Sequence, residues 1–119
     1  MAGSGSGHDR MGMTRGDVVT VVLASEYGKP RPAVIVQADI FQTKESVVVV
    51  PMTTDLRPNS VLFRKRVIPS EANGLQLESE MMIDKISAIP RAKVGKTIGR
   101  LQPEEMADLT ATLALFLGY

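Results

Sequence analysis

Short runs of apolar, mostly β-branched residues dominate the chain, separated by clusters of glycine, proline, asparagine and aspartate. Val, Ile and Thr favour the extended backbone and the other four favour turns, so each run predicts one strand. The run 46–54 is almost entirely apolar, which is typical of a strand buried on both faces. The predicted strands cover residues 18–23, 31–38, 46–54, 61–68, 79–89 and 96–101.

The last part of the chain has a helical period instead. Proline and two glutamates at 103–105 suit the first turn of a helix, because the helix dipole favours negative charge there. Apolar side chains then recur on one face until a glycine at 118 ends the pattern. They are Met106, Leu109, Leu113, Phe116 and Leu117. Short strands followed by one helix predict a mainly β (α+β) fold, a curled antiparallel barrel closed by the C-terminal helix.

Residues 1–12 (MAGSGSGHDRMG) are rich in glycine and serine, and we expect a flexible leader or cloning remnant there, followed by a single domain over 13–119. This segment contains His8, the one histidine, and the chain has no cysteine. A domain without either residue excludes Ser-His-Asp chemistry, cysteine nucleophiles and most zinc sites. We therefore expect no metal and no cofactor.

The formal net charge of +1 excludes a polybasic nucleic-acid binder, so any such binding must come from local clusters. No apolar run approaches the roughly 18 residues of a membrane span, and no signal segment opens the chain. We expect a cytoplasmic protein that does not bind membranes.

Arg31 lies between Pro30 and Pro32, where a loop meets the predicted strand 31–38. The prolines keep this entry extended, and functional side chains are often held where a loop meets a rigid strand. A guanidinium presents five donors in a fixed fork, which suits a phosphate. A surface salt bridge is the structural alternative for the same residue.

Two pairs of residues near strand ends have a functional and a structural interpretation. Thr53 and Thr54 end the predicted strand 46–54, where a hydroxyl can donate to a phosphate oxygen, although Thr-Thr-Asp also starts turns. Asp84 and Lys85 interrupt the apolar pattern of 79–89, so we expect one of them to be buried. A buried aspartate there is either part of an ion pair or a site acid.

Charged residues also alternate along two predicted strands. Arg64 and Arg66 share one face and Lys65 points away, so the pair either contacts phosphates or protects an exposed strand edge. Glu78 and Glu80 share a face as well, but without a second acidic cluster or a histidine they do not indicate a metal site.

Four motifs in order resemble the MazF/PemK (Kid) toxins of bacterial toxin–antitoxin systems. They are 15–19 (RGDVV), 31–36 (RPAVIV), 49–54 (VVPMTT) and 98–101 (IGRL), the last just before the terminal helix. The resemblance covers nearly all of 14–119. It implies a small SH3-like barrel that forms a homodimer, cuts single-stranded RNA at short sequences without a metal, and is neutralised by a cognate antitoxin.

The same resemblance implies roles for individual residues. Arg31 and Thr53 match the catalytic arginine and threonine of the family, and Asp84 matches an acid of the Kid branch that holds or deprotonates the ribose 2′-OH. Met82 stands where that branch has a catalytic arginine, so the general base stays unassigned. The candidates for binding RNA are Lys29, Thr54, Arg64, Arg66 and Lys85.

Two other functions remain alternatives at this point. Residues 36–40, Met81-Met82 with Ile89-Pro90 after them, and the C-terminal 115–119 also resemble CcdB toxins, which share the fold but poison DNA gyrase and cut nothing. The chain lacks the Trp-Gly-Ile ending of CcdB and keeps the Arg-Pro motif that CcdB lacks. The third possibility is an inactive SH3-like scaffold that only binds a partner.

Overall fold

Seven antiparallel strands and a C-terminal helix form the structure, a computed structural model that describes residues 13–23, 28–42, 45–57 and 63–119. The predicted leader at 1–12 lies outside these ranges. The elements are β1 (Asp17–Val22), β2 (Pro30–Ile35), β3 (Ser46–Thr53), β4 (Arg64–Val67), β5 (Ser79–Met82), β6 (Ser87–Pro90), β7 (Val94–Arg100) and α1 (Pro103–Phe116).

The longest strand, β3, lies at the centre of the sheet, whose order is β4-β5-β3-β2-β1-β7. One side of β3 pairs with β2, and the other pairs first with β6 and then with β5. A strand paired on both sides is expected to be apolar, as the predicted buried run was. The mainly β prediction is confirmed, with one difference. The curled sheet is not closed: within the described residues β4 and β7 lie at the two ends of this order, and β6 pairs with β3 alone.

Successive side chains of the inner strands enter two separate apolar clusters, because residues along a strand point alternately to opposite faces. Val18 lies in one cluster with Val34 and Val50, and its neighbour Val19 lies in the other. The helix covers the first cluster with Leu109, which is fully buried. Burying a side chain of this size contributes roughly 1.5–3 kcal/mol, so the helical stripe stabilises one face of the sheet.

Hydrogen bonds fix both ends of α1. At its start the Gln102 N–H donates to Glu105 Oε1 at 2.8 Å, as in a capping box. Gly118 takes a positive φ of 97° just beyond the helix, where the predicted stop lies. The Arg15 guanidinium donates to the Val36 carbonyl and to Thr110 Oγ1, which ties the helix to the sheet. No helix of the described residues is long and apolar enough to cross a membrane.

The predicted strand 79–89 is wrong in one respect, because a 3₁₀ turn at Ile83–Lys85 divides it into β5 and β6. Ile83 is buried in the core, and its N–H donates to the Phe63 carbonyl at 2.9 Å. Asp84 and Lys85 are both exposed. The expectation that one of them is buried is therefore wrong. The turn exposes both side chains to solvent, whereas a continuous strand would have placed them on opposite faces of the sheet.

Candidate active site

An open cleft of about 760 Å³ lies where the ends of β2 and β3 meet the turn between β5 and β6. Five of the eight predicted site residues line it, and they come from four separate elements or turns. They are Arg31, Thr53, Arg64, Asp84 and Lys85. The cleft therefore brings a guanidinium, a hydroxyl and a carboxylate from distant parts of the sequence to one surface.

Arg31 and Thr53 reach the cleft from strands that pair with each other. Arg31 is half-buried in β2, and Thr53 is the last residue of β3, half-buried as well. Thr53 Oγ1 accepts a hydrogen bond from the Asp55 N–H at 3.0 Å. Because this bond uses only a lone pair, the hydroxyl proton remains available for a ligand oxygen.

The carboxylate of Glu80 is the most buried charge near the cleft. Its side chain is 5% exposed, and it forms an ion pair with Arg64 at 2.9 Å, whose side chain is 11% exposed. It also accepts the Arg57 N–H at 2.9 Å and Arg66 Nη2 at 3.3 Å. Burial raises the pKa of Glu80, but these hydrogen bonds outweigh it and the pKa is lowered from its ordinary value. Glu80 is therefore charged at neutral pH.

Three predicted RNA contacts lie outside the lining of the cleft. Lys29 and Thr54 are exposed, and Arg66 is held by Glu78 at 3.1 Å and by Glu80. The hydrogen bond with Glu78 raises the pKa of Arg66. The predicted alternation along this strand is confirmed, because Lys65 pairs instead with Asp108 of α1 at 3.2 Å.

Sequence reasoning missed Glu80 as a neighbour of the site, along with Asp55 and Arg57, which both line the cleft. Glu80 pairs with Thr53 in the β3–β5 register and with Arg66 in the β4–β5 register. The signal was present as two acidic residues, Glu78 just before β5 and Glu80 within it, and two basic residues of β4 at the same spacing. Within the described residues, no group of three or more potential metal ligands is close enough to hold an ion.

Comparison with known proteins identifies the family. Residues 14–117 match the family of PemK-like, MazF-like toxins of type II toxin–antitoxin systems. The chain belongs to this MazF/PemK family. It is also 41% identical over 107 residues to the probable endoribonuclease MazF of Mycolicibacterium smegmatis, a match that covers 89% of this chain and 97% of that protein.

Solved structures of MazF toxins share the fold. A mycobacterial endoribonuclease in complex with its cognate antitoxin superposes with a TM-score of 0.71 at 25% identity, covering 88% of this chain and 94% of that one. MazF from Deinococcus radiodurans superposes with a TM-score of 0.72 at 17% identity, covering 89% and 96%. The predicted family and fold are confirmed, and the MazF/PemK membership favours the toxin nuclease over the CcdB-like alternative.

Proposed function

We propose that this MazF/PemK toxin is an endoribonuclease that cuts single-stranded RNA at short sequences without a metal and thereby stops translation and growth. The observation that carries the proposal is the placement of Arg31 and Thr53 on one open cleft. The curated relative at 41% identity is named a probable endoribonuclease, which supports the same activity here.

The chemistry suited to these groups is an internal transfer of the phosphoryl group. The ribose 2′-oxygen loses its proton and bonds to the adjacent phosphorus, and the bond from phosphorus to the 5′-oxygen breaks. The products are a 2′,3′-cyclic phosphate and the leaving 5′-oxygen, which takes up a proton to become a 5′-hydroxyl. Negative charge grows on the non-bridging oxygens in the transition state, where a fixed guanidinium and a hydroxyl donor stabilise it most.

Each cleft residue then has a proposed task. Arg31 stabilises the phosphorane-like charge, and Thr53 donates its proton to a phosphate oxygen. Asp84 is the candidate to hold or deprotonate the 2′-OH, and its exposed position on the cleft leaves it accessible to a ribose. Lys85 and Arg64 line the same cleft and are proposed to contact the RNA. Lys29, Thr54 and Arg66 lie outside the lining and are proposed contacts for the more distant parts of the strand.

The proposed partners are RNA and a cognate antitoxin that covers the cleft. We also propose that the toxin is a homodimer and is located in the cytoplasm. An endoribonuclease of this fold has been solved with its cognate antitoxin, which supports such a complex here. A mass in solution of twice the 12.9 kDa of one chain would support the dimer.

Incubation of a long single-stranded RNA with the protein in EDTA tests the activity. We expect cleavage by the parent and a loss of at least about 10²-fold in the Arg31→Ala variant, because a fixed donor to the developing charge is removed. Lys93→Ala removes an exposed cation of the Arg91–Lys93 turn outside the cleft and should cut like the parent. Intact RNA from a folded parent that arrests growth would contradict the proposal and direct attention to gyrase.

A further inference from the structure

Glu80 is a buried carboxylate that the proposed chemistry does not use. It lies in β5 opposite Thr53 in the β3–β5 register. Burying a carboxylate is costly unless it is paired, and three donors surround this one. They are the N–H of Arg57 and the guanidiniums of Arg64 and Arg66.

Three hydrogen bonds and the backbone of Asp55 join Glu80 to the hydroxyl of Thr53. Arg64 Nη1 donates to Glu80 Oε1 at 2.9 Å, and the same nitrogen donates to the Asp55 carbonyl at 2.8 Å. The Asp55 N–H in turn donates to Thr53 Oγ1 at 3.0 Å. One guanidinium nitrogen therefore connects β5 to the turn that follows β3.

The far end of that turn is attached to the same carboxylate. The Arg57 N–H donates to Glu80 Oε1 at 2.9 Å, so Glu80 holds the segment 55–57 by its first residue, through Arg64, and directly by its last. The side chains of Glu80 and Arg64 are 5% and 11% exposed, so little water competes for these bonds.

We propose that Glu80 is a positioning residue for Thr53, acting through Arg64 and Asp55. The inference rests on the ribonuclease activity proposed above. Glu80 does not touch the RNA. It sets the direction in which the Thr53 hydroxyl proton points, and small displacements of such a group are costly for the chemical step.

The loss of the Glu80 charge and a displacement of the Thr53 hydroxyl can be distinguished experimentally, because the first changes RNA binding and the second changes the turnover rate. Removing the negative charge of Glu80 leaves the cleft more positive, which strengthens attraction to the phosphates. A displaced Thr53 hydroxyl instead lowers kcat, the rate at which the bound RNA is cut. A merely structural role of Glu80 would reduce the folded fraction and leave the turnover of each folded molecule unchanged.

The test compares Glu80→Gln with Glu78→Gln, which removes the same charge two residues away. Glu78 is 42% exposed and pairs with Arg66 at 3.1 Å, outside the path to Thr53. We expect Glu78→Gln to retain the parent kcat with an equal or lower KM. Glu80→Gln should also keep an equal or lower KM, but its kcat per active site should fall about tenfold or more.

A second variant keeps the test decisive if Glu80→Gln does not fold. Glu80→Asp preserves the charge but shortens the side chain that reaches Arg64 and the Arg57 N–H, so kcat should fall while KM and its salt dependence stay near the parent values. A parent kcat in folded Glu80→Gln, or in Glu80→Asp where only that variant folds, would overturn the inference. A parent protein that leaves RNA intact would instead contradict the proposed function.

Discussion

The hydroxyl of Thr53 has a defined hydrogen-bonding role before any substrate binds. Its oxygen accepts the Asp55 N–H at 3.0 Å, which leaves the proton to be donated and fixes the direction of the lone pair in use. Arg31 presents a positive charge to the same cleft from the neighbouring strand. A donor and a cation held by paired strands are groups of the kind that stabilise a phosphate, which supports the roles proposed for Thr53 and Arg31.

Replacing Thr53 by valine tests this role, because valine has nearly the same shape but no donor. We expect kcat to fall by about 10²–10³-fold, as for loss of one donor to a developing oxyanion, with little change in KM. Thr53→Ser keeps the hydroxyl and should retain most of the activity. Single-turnover cleavage of a short RNA measures both variants, and a valine variant as active as the serine variant would exclude the hydroxyl from the chemistry.

The loop between β4 and β5 packs against β7, and hydrogen bonds of one buried side chain fix its conformation. Asn73 is fully buried, and its Nδ2 donates to the Ile68 carbonyl at 2.9 Å. Its Oδ1 accepts the N–H of Ser70 at 3.0 Å and that of Leu75 at 2.9 Å. The loop is thus held by one side chain that replaces the missing ladder of strand hydrogen bonds.

The glycine that follows Asn73 makes the same loop sensitive to small changes. Gly74 has a φ of 71°, and a Cβ there would lie 2.0 Å from the Ile98 carbonyl oxygen in β7. The Arg100 N–H, also in β7, donates to the Ala72 carbonyl at 2.7 Å. The backbones of the loop and β7 therefore approach too closely for any larger residue at 74.

Asn73→Ala should lower the free energy of unfolding by about 1–3 kcal/mol, because it leaves buried backbone groups without partners. Urea denaturation monitored by circular dichroism measures the change. Gln76→Ala, at an exposed position of the same loop, is the matched control and should be close to neutral. Equal stability of the two variants would contradict the role assigned to Asn73.

Local patterns predicted much of the molecule as a whole. β-branched runs located β1, β2 and β3, and proline followed by two glutamates located the start of α1. These features depend on residues close in sequence. The Arg-Pro and Thr-Thr motifs likewise pointed to Arg31 and Thr53 through a family resemblance, and the fold then placed them on one cleft.

The features that sequence reasoning missed depend on contacts between residues that are far apart in the sequence. The turn at Ile83–Lys85 interrupts a run whose apolar pattern continues through Met82 and Ile83, so periodicity alone does not show it. The burial of Glu80 is similarly non-local. A glutamate is expected at the surface, and only the pairing of β5 with β4 brings Arg64 and Arg66 to it.

The most direct test of internal phosphoryl transfer in this cleft is an analysis of the ends of the RNA fragments made in EDTA. We expect 2′,3′-cyclic phosphate and 5′-hydroxyl ends, made by the parent and absent with Arg31→Ala. A single 2′-deoxynucleotide on the 5′ side of the cleaved bond should also abolish cleavage at that bond. Fragments with 5′-phosphate ends, or cleavage of the deoxy-substituted strand, would contradict attack by the 2′-oxygen.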